Sequence, residues 1–416
     1  MRKLIGASLR LWASAMALCI LTSLTQAARY QELVLHAFTG QSDGWLPNQA
    51  LIRDAQGNLY GSTAFGGNYT GLCDSGYISG GCGVIFSRTI TGNFNVLHTF
   101  DFSDGANPTL AAQDADGNLY GSTTGGGNSA CQYGGCGVIF KLTPAGDFTV
   151  LYNFTGGPDG ANPNSLIMDD QGNFYGTTSG SNTGFEEIFE LTNSGRLQVL
   201  YVFSQPGQGS IPNGLVRDGA GNLYGTTFQG GDYGSGTVFK IDAAGSLTVL
   251  YSFMGESDGG FPVAPPVMDQ AGNLYGTASQ NGYRKGKCHS PDPTQGCGTV
   301  FKIDTAGTFS VLFAFREVNG QYPGPLSKDA KGVIYGTTAL GGNHCSPGGC
   351  GVAFKLNSRN KESVLFDFPG REDGAWPGKL VGDSKRNQYG TSAFGGDMAC
   401  SHQSGQGCGL IFELIR

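Results

Sequence analysis

Of 416 residues, 71 are glycine, far above the usual ~7%, and charged residues make up only 14% against the usual ~25%. No Gly-X-Y period is present, and 39% hydrophobic with 11% aromatic residues is enough for a core, so collagen and disorder are both excluded. A formal charge of −7 makes the chain a poor non-specific binder of nucleic acid.

The chain begins with Arg2, Lys3 and Arg10, an apolar run from Leu11 to Leu21, and small residues at Thr25-Gln26-Ala27. This order predicts a secretory signal peptide over 1–27, because the run is too short to span a bilayer. Cys19 follows Leu18 rather than a small residue, which speaks against a lipoprotein cleavage site. The mature chain, 28–416, is expected to form one domain.

Seven copies of a Gly-Asn-Leu-Tyr-Gly-like segment follow, with tyrosines at Tyr60, Tyr120, Tyr175, Tyr224, Tyr275, Tyr335 and Tyr389. Repeats of this kind are the first thing to settle, because they dictate the architecture. Before each tyrosine stands a short run ending in aspartate (Asp54, Asp114, Asp169, Asp218, Asp269, Asp329, Asp383), and in six of the seven a glycine lies three residues beyond it. Asp-x-x-Gly between apolar runs predicts a tight hairpin. After each tyrosine comes a Gly-rich stretch and an apolar run ending in Phe86, Phe140, Phe189, Phe239, Phe301, Phe354 or Phe412. A Val-Leu-x-x-Phe run completes the unit. We name the four runs A (ending at the Asp), B (around the Tyr), C (ending at the Phe) and D.

Four antiparallel strands repeated seven times predict an all-β, seven-bladed β-propeller. A D run at Val34 to Phe38 precedes the first A, whereas the chain stops on a C run at Leu410 to Leu414. The N-terminal strand is therefore expected to complete the last blade and close the ring.

Gly221-Asn222-Leu223-Tyr224-Gly225-Thr226-Thr227 and Gly234-Ser235-Gly236-Thr237-Val238-Phe239-Lys240 resemble the GloVer tandem repeats of secreted and surface proteins of the choice-of-anchor type. The unit is also similar to that of NHL-type propellers. The resemblance covers nearly the whole mature chain and implies location and architecture, with no common activity attached. Only four residues follow Phe412, with no C-terminal sorting segment among them, a departure from the family's pattern that speaks against covalent surface anchoring.

Ten cysteines remain after Cys19, in five close pairs: Cys73 with Cys82, Cys131 with Cys136, Cys288 with Cys297, Cys345 with Cys350, and Cys400 with Cys408. Disulfides are the expected use, since the spacings vary as metal sites do not, and this points to an oxidising compartment, extracellular or periplasmic. All five pairs lie in B-to-C loops, on the propeller face that also carries the D-to-A loops. There the residue before a recurring proline reads Leu46, Asn107, Asn162, Ile211, Phe261, Tyr322 and Trp376, with Trp45 beside Leu46. Trp45, Phe261, Tyr322 and Trp376 fall in consecutive sectors and form the candidate binding surface for sugar rings or a cell-surface partner.

His289, His344 and His402, each beside or near a cysteine, are the candidate metal ligands, though solvated loop histidines are the simpler expectation; no cofactor is implied. His36 and His98 occupy a strand D position filled elsewhere by Tyr or Phe and read as structural. Arg284, Lys285 and Lys287 form a basic loop that could dock an anion. Glu186 and Glu187 replace the Gly-Val or Gly-Thr that opens strand C elsewhere and are the candidate acid/base pair. The leading expectation is a secreted, monomeric, non-catalytic propeller that binds a carbohydrate or cell-surface partner. The alternatives are a secreted polysaccharide lyase or glycoside hydrolase, and a purely structural surface repeat.

Overall fold

The computed structural model describes residues 30–416 except 48–49, 75–79, 132–133, 181–183, 185, 283–287, 289–295, 346–347 and 401–405. The expected signal peptide lies outside the described residues. Seven antiparallel sheets follow one another along the chain, each in the order A-B-C-D, and they form a seven-bladed β-propeller. In the seventh blade strand A is split into Ala375–Pro377 and Val381–Gly382, and its outermost strand comes from the other end of the chain. That strand, β1 (Gln31–Ala37), runs antiparallel to Leu410–Ile415, with Gln31 opposite Ile415 and Ala37 opposite Leu410. Closure by the N-terminal strand is thus as the run order predicted.

The turn after each strand A is built around its aspartate. In the first blade, Asp54 Oδ1 accepts the Asn58 N–H at 2.7 Å, and Oδ2 accepts the Asn58 amide at 2.8 Å and the Tyr60 hydroxyl at 3.3 Å. All seven motif tyrosines donate to their own turn aspartate at 2.9 to 3.5 Å. The motif tyrosine therefore pins its turn to strand B, while the left-handed glycine at positions such as Gly57 (φ +94°) reverses the chain.

The second glycine of the motif has a different reason. Gly61, Gly121, Gly176, Gly225, Gly276, Gly336 and Gly390 lie opposite the strand C phenylalanines Phe86 to Phe412. A Cβ on any of them would sit 2.4 to 2.6 Å from the ring's Cζ, so no other residue leaves room for the ring. Each of these rings then meets the phenylalanine that ends strand D of the preceding blade. The pairs run from Phe38 with Phe86 (5.3 Å) through Phe203 with Phe239 (5.4 Å) to Phe368 with Phe412 (5.1 Å). All seven contacts lie between blades, at ring separations that favour tilted and edge-to-face geometry. The core is consequently a ring of glycine-seated aromatics, and the N-terminal Phe38 is one of its links.

Candidate functional site

Two sets of loops share the face on which strand B ends and strand A begins. The residue before each proline (Leu46, Asn107, Asn162, Ile211, Phe261, Tyr322, Trp376) has φ between 53° and 59° in all seven blades. This is unexpected on local grounds, because a residue preceding proline is biased away from helical dihedrals and a side chain in the left-handed region is strained. The cause is a hydrogen bond between neighbours. The N–H of Leu46 donates to the Cys408 carbonyl at 3.0 Å, Asn107 to Cys82 at 2.9 Å, Asn162 to Cys136 at 2.8 Å, Tyr322 to Cys297 at 3.2 Å and Trp376 to Cys350 at 3.0 Å. In the cysteine-free fourth blade Ser235 supplies the carbonyl, to Phe261 at 2.7 Å. The glycine that follows the cysteine packs against the next blade's proline; a Cβ on Gly83 would lie 2.6 Å from Pro108 Cδ. Each B-to-C loop is therefore fastened to the following blade, and the residue before the proline is the fastening point.

All five expected cysteine pairs are disulfide-bonded. Each closes a short loop, a constraint worth about 2–3 kcal/mol on the chain-entropy account. Five such bonds mark an oxidising setting, extracellular or periplasmic. Among the described residues no helix is long and apolar enough to cross a membrane.

The four aromatics are not equivalent. Trp45 is buried, with its ring stacked on Phe65 at 4.6 Å and its Nε1–H donating to the Gly80 carbonyl at 3.0 Å. Phe261 is half-buried against Phe228 at 5.4 Å, and Tyr322 is also half-buried. Trp376 is 47% exposed and leans edge-on against Phe394 at 5.2 Å. Phe65, Phe228 and Phe394, near the ends of strands B, support these rings; a Phe before the motif's Gly-Gly or Gln-Gly was the signal in the sequence.

His344 is exposed, and His289, His402 and the basic Arg284, Lys285 and Lys287 fall outside the described residues. Among the described residues no group of three or more His, Cys, Asp or Glu could hold a metal ion. His36 and His98 instead hydrogen-bond Asp43 (3.2 Å) and Asp104 (2.7 Å) and stack on Phe94 and Phe148 of the next blade at 3.7 and 3.9 Å.

Glu186 and Glu187 open strand C of the third blade, opposite the residue fastened there, Ile211. Glu186 replaces the glycine found elsewhere, and its carboxylate accepts the Ile211 N–H, although burial raises its pKa overall. Glu187 is 2% exposed and hydrogen-bonded to the Thr178 hydroxyl, with Gly160 against its other side. Burial pushes its carboxyl up to about 7, helped by the nearby Glu186 and Asp159 charges. The two carboxyls thus face structural partners in the wall between blades.

The Gloeobacter/Verrucomicrobia repeat matches residues 65–288, more than half of the chain. No curated protein is similar in sequence. Among solved structures, the extracellular domain of a protein assigned to the hybrid two component systems of B. thetaiotaomicron is similar at 9% identity and TM-score 0.54, over 88% of this chain and 39% of that one. A gluconolactonase from Xanthomonas campestris is similar at 13% identity and TM-score 0.45, over 95% and 94%. At 9% identity the first is a likeness of fold alone.

Proposed function

This chain belongs to the Gloeobacter/Verrucomicrobia repeat family, and we propose that it is a secreted, monomeric binding propeller whose disulfide-fastened loop face holds a carbohydrate. The observation that carries this reading is Trp376: a tryptophan 47% exposed, held in a left-handed backbone and braced edge-on by Phe394. A rigid, solvated indole face suits the apolar face of a sugar ring, and little side-chain entropy is lost on binding because the ring is already immobilised. Tyr322 and Phe261, in the two preceding sectors, extend the surface. Trp45 belongs to the support, since its ring is buried.

The test is retention on an array of bacterial and plant glycans, comparing the natural protein with Trp376→Ala and with Trp376→Ala/Tyr322→Ala. Binding that falls with Trp376→Ala and disappears in the double variant, at unchanged melting temperature, is the expected result. Retention that ignores both substitutions would refute it.

A further inference from the structure

A sevenfold repeat supplies its own controls, and one blade departs from the others at four positions that line one cavity. The residue before the turn aspartate is Arg53, Gln113, Met168, Arg217, Met268 or Lys328 in six blades, paired across to Leu, Phe or Ile on strand B. In three of them its cationic end covers the motif tyrosine of the preceding blade: Arg53 over Tyr389 at 5.5 Å, Arg217 over Tyr175 at 5.1 Å and Lys328 over Tyr275 at 4.0 Å. In the seventh blade the pair is Gly382 with Gln388. No side chain therefore leaves position 382 toward Tyr335, and a cavity of about 440 Å³ opens there between the sixth and seventh blades, reaching inner strands of the first and second. Its size lies within the range of small-molecule sites.

The polar groups lining this space fall into two kinds. Asp329 and Asp383 are used by their own turns: Asp329 accepts the Lys331 and Val333 N–H groups at 2.9 Å, and Asp383 accepts the Asn387 N–H at 2.9 Å. Lys328 is paired with Asp269 at 3.0 Å. Three others each carry a polar end without such a partner, although Gln388 Nε2 donates to the Arg386 carbonyl at 3.5 Å. Gln388 is 2% exposed, and its Oε1 is buried without a hydrogen bond where six blades carry an apolar residue. Among the described residues, the Lys379 ammonium and the Arg386 guanidinium make no hydrogen bond or ion pair. Lys379 stands four residues before the turn aspartate, where the other blades have Ala50, Leu110, Ser165, Gly214, Pro265 and Pro325. Its surroundings lower its pKa by burial, which an anion beside it would reverse. Arg386 takes the place of the turn glycine and holds φ +73°, a conformation costing an arginine about 1–2 kcal/mol. Strain at one copy of an otherwise glycine-built turn is retained where the side chain has work to do.

We propose that this cavity is a binding site for a small hydroxylated carboxylate, with Lys379 and Arg386 holding the carboxylate and Gln388 Oε1 accepting a ligand hydroxyl. A buried acceptor lacking a donor and two cations lacking an ion-pair partner together ask for a ligand that is anionic and bears O–H groups. Leu51, Ala111 and Val381 provide the apolar wall. The site lies at the A-to-B turn end of the blades and is independent of the loop-face reading.

The experiment is isothermal titration calorimetry with D-glucuronate, using D-glucose as the neutral comparison and inorganic phosphate as the anion without a sugar ring. Glucuronate is expected to bind at least tenfold more tightly than either, and Lys379→Met to weaken it tenfold or more. A second variant closes the cavity by installing the Arg/Leu pair of the first and fourth blades, Gly382→Arg/Gln388→Leu. Both changes are needed, because a Cβ at 382 would lie 2.9 Å from Gln388 Nε2. It should melt no lower than the natural protein and bind no glucuronate; if it fails to fold, Lys379→Met alone decides. Trp376→Ala should leave glucuronate binding unchanged, which separates this site from the loop face. Absence of binding at about 10 mM glucuronate, equal affinity for glucose, tighter binding of phosphate, or binding that survives Lys379→Met or the cavity-filling pair would overturn the proposal.

Discussion

Ring closure rests on β1, and Phe38 is the residue on which to test it. Phe38 is fully buried at the end of that strand, 5.3 Å from Phe86 and 5.7 Å from Phe94 of the first blade, with His36 at 4.8 Å. Phe38→Ala removes the one inter-blade aromatic link whose strand D is held to its own blade by hydrogen bonds alone, because no strand C precedes β1 in the chain. Truncating a buried phenylalanine costs about 3–5 kcal/mol, because transfer and cavity terms add. At 1.4 kcal/mol per factor of ten, local opening of β1 should rise by between about a hundredfold and a few thousandfold. Hydrogen–deuterium exchange of the Gln31–Ala37 amides reads this directly. Phe203→Ala is the control: the same position on a strand D that is covalently joined to its own strand C, where the loss should be spread over the third and fourth blades. Unchanged protection of Gln31–Ala37 in Phe38→Ala, or equal deprotection of all blades, would refute the view that the seam is held by this contact.

Glu32 on β1 has both carboxylate oxygens buried without a hydrogen bond, and burial, with Asp373 nearby, pushes its pKa up to about 8. The folded state then binds a proton that the unfolded chain releases above about 4.5, so stability should fall as pH rises from there to about 8; Glu32→Gln should flatten the melting temperature over that window. Glu187, at about 7, behaves in the same sense, and Glu187→Val, the residue of the first, second and sixth blades, should raise the melting temperature more at pH 8 than at pH 5. A larger gain at pH 5 would show that the carboxyl is not the destabilising group. Reduction of the disulfides should destabilise the five stapled sectors by about 2–3 kcal/mol each, measured by exchange of their loops, and leave the B-to-C loops of the third and fourth blades unaffected.

Much of this molecule was legible because a repeat averages out local ambiguity. Seven occurrences of one pattern identify the turn aspartates and the strand C phenylalanines, and five the cysteine pairs, where a single occurrence would not. The order D first and C last also announced the closure, since an unpaired outer strand and a blade lacking one are complementary. What a repeat cannot announce is where its parts meet. The second motif glycine looks like further turn punctuation, yet its role is to seat a ring on the opposite strand. Trp45 and Trp376 look alike as loop aromatics, but one side chain turns inward over Phe65 and the other stays in solvent, because Trp376 occupies the left-handed position itself whereas Trp45 stands one residue before it. The Gly382, Arg386 and Gln388 departures are visible in the sequence as exceptions, but nothing in their spacing says that they surround one space.

The sequence by itself determined the number of blades, the strand order within them, the closing strand and the disulfide pairs, all of which follow from local periodicity and from complementary chain ends. Only the tertiary structure decided which aromatic is presented to solvent, why the residues before the prolines are left-handed, and that Lys379, Gly382, Arg386 and Gln388 line one cavity. Those properties arise between blades, where residues far apart in the chain share one hydrogen bond, one ring contact or one cavity.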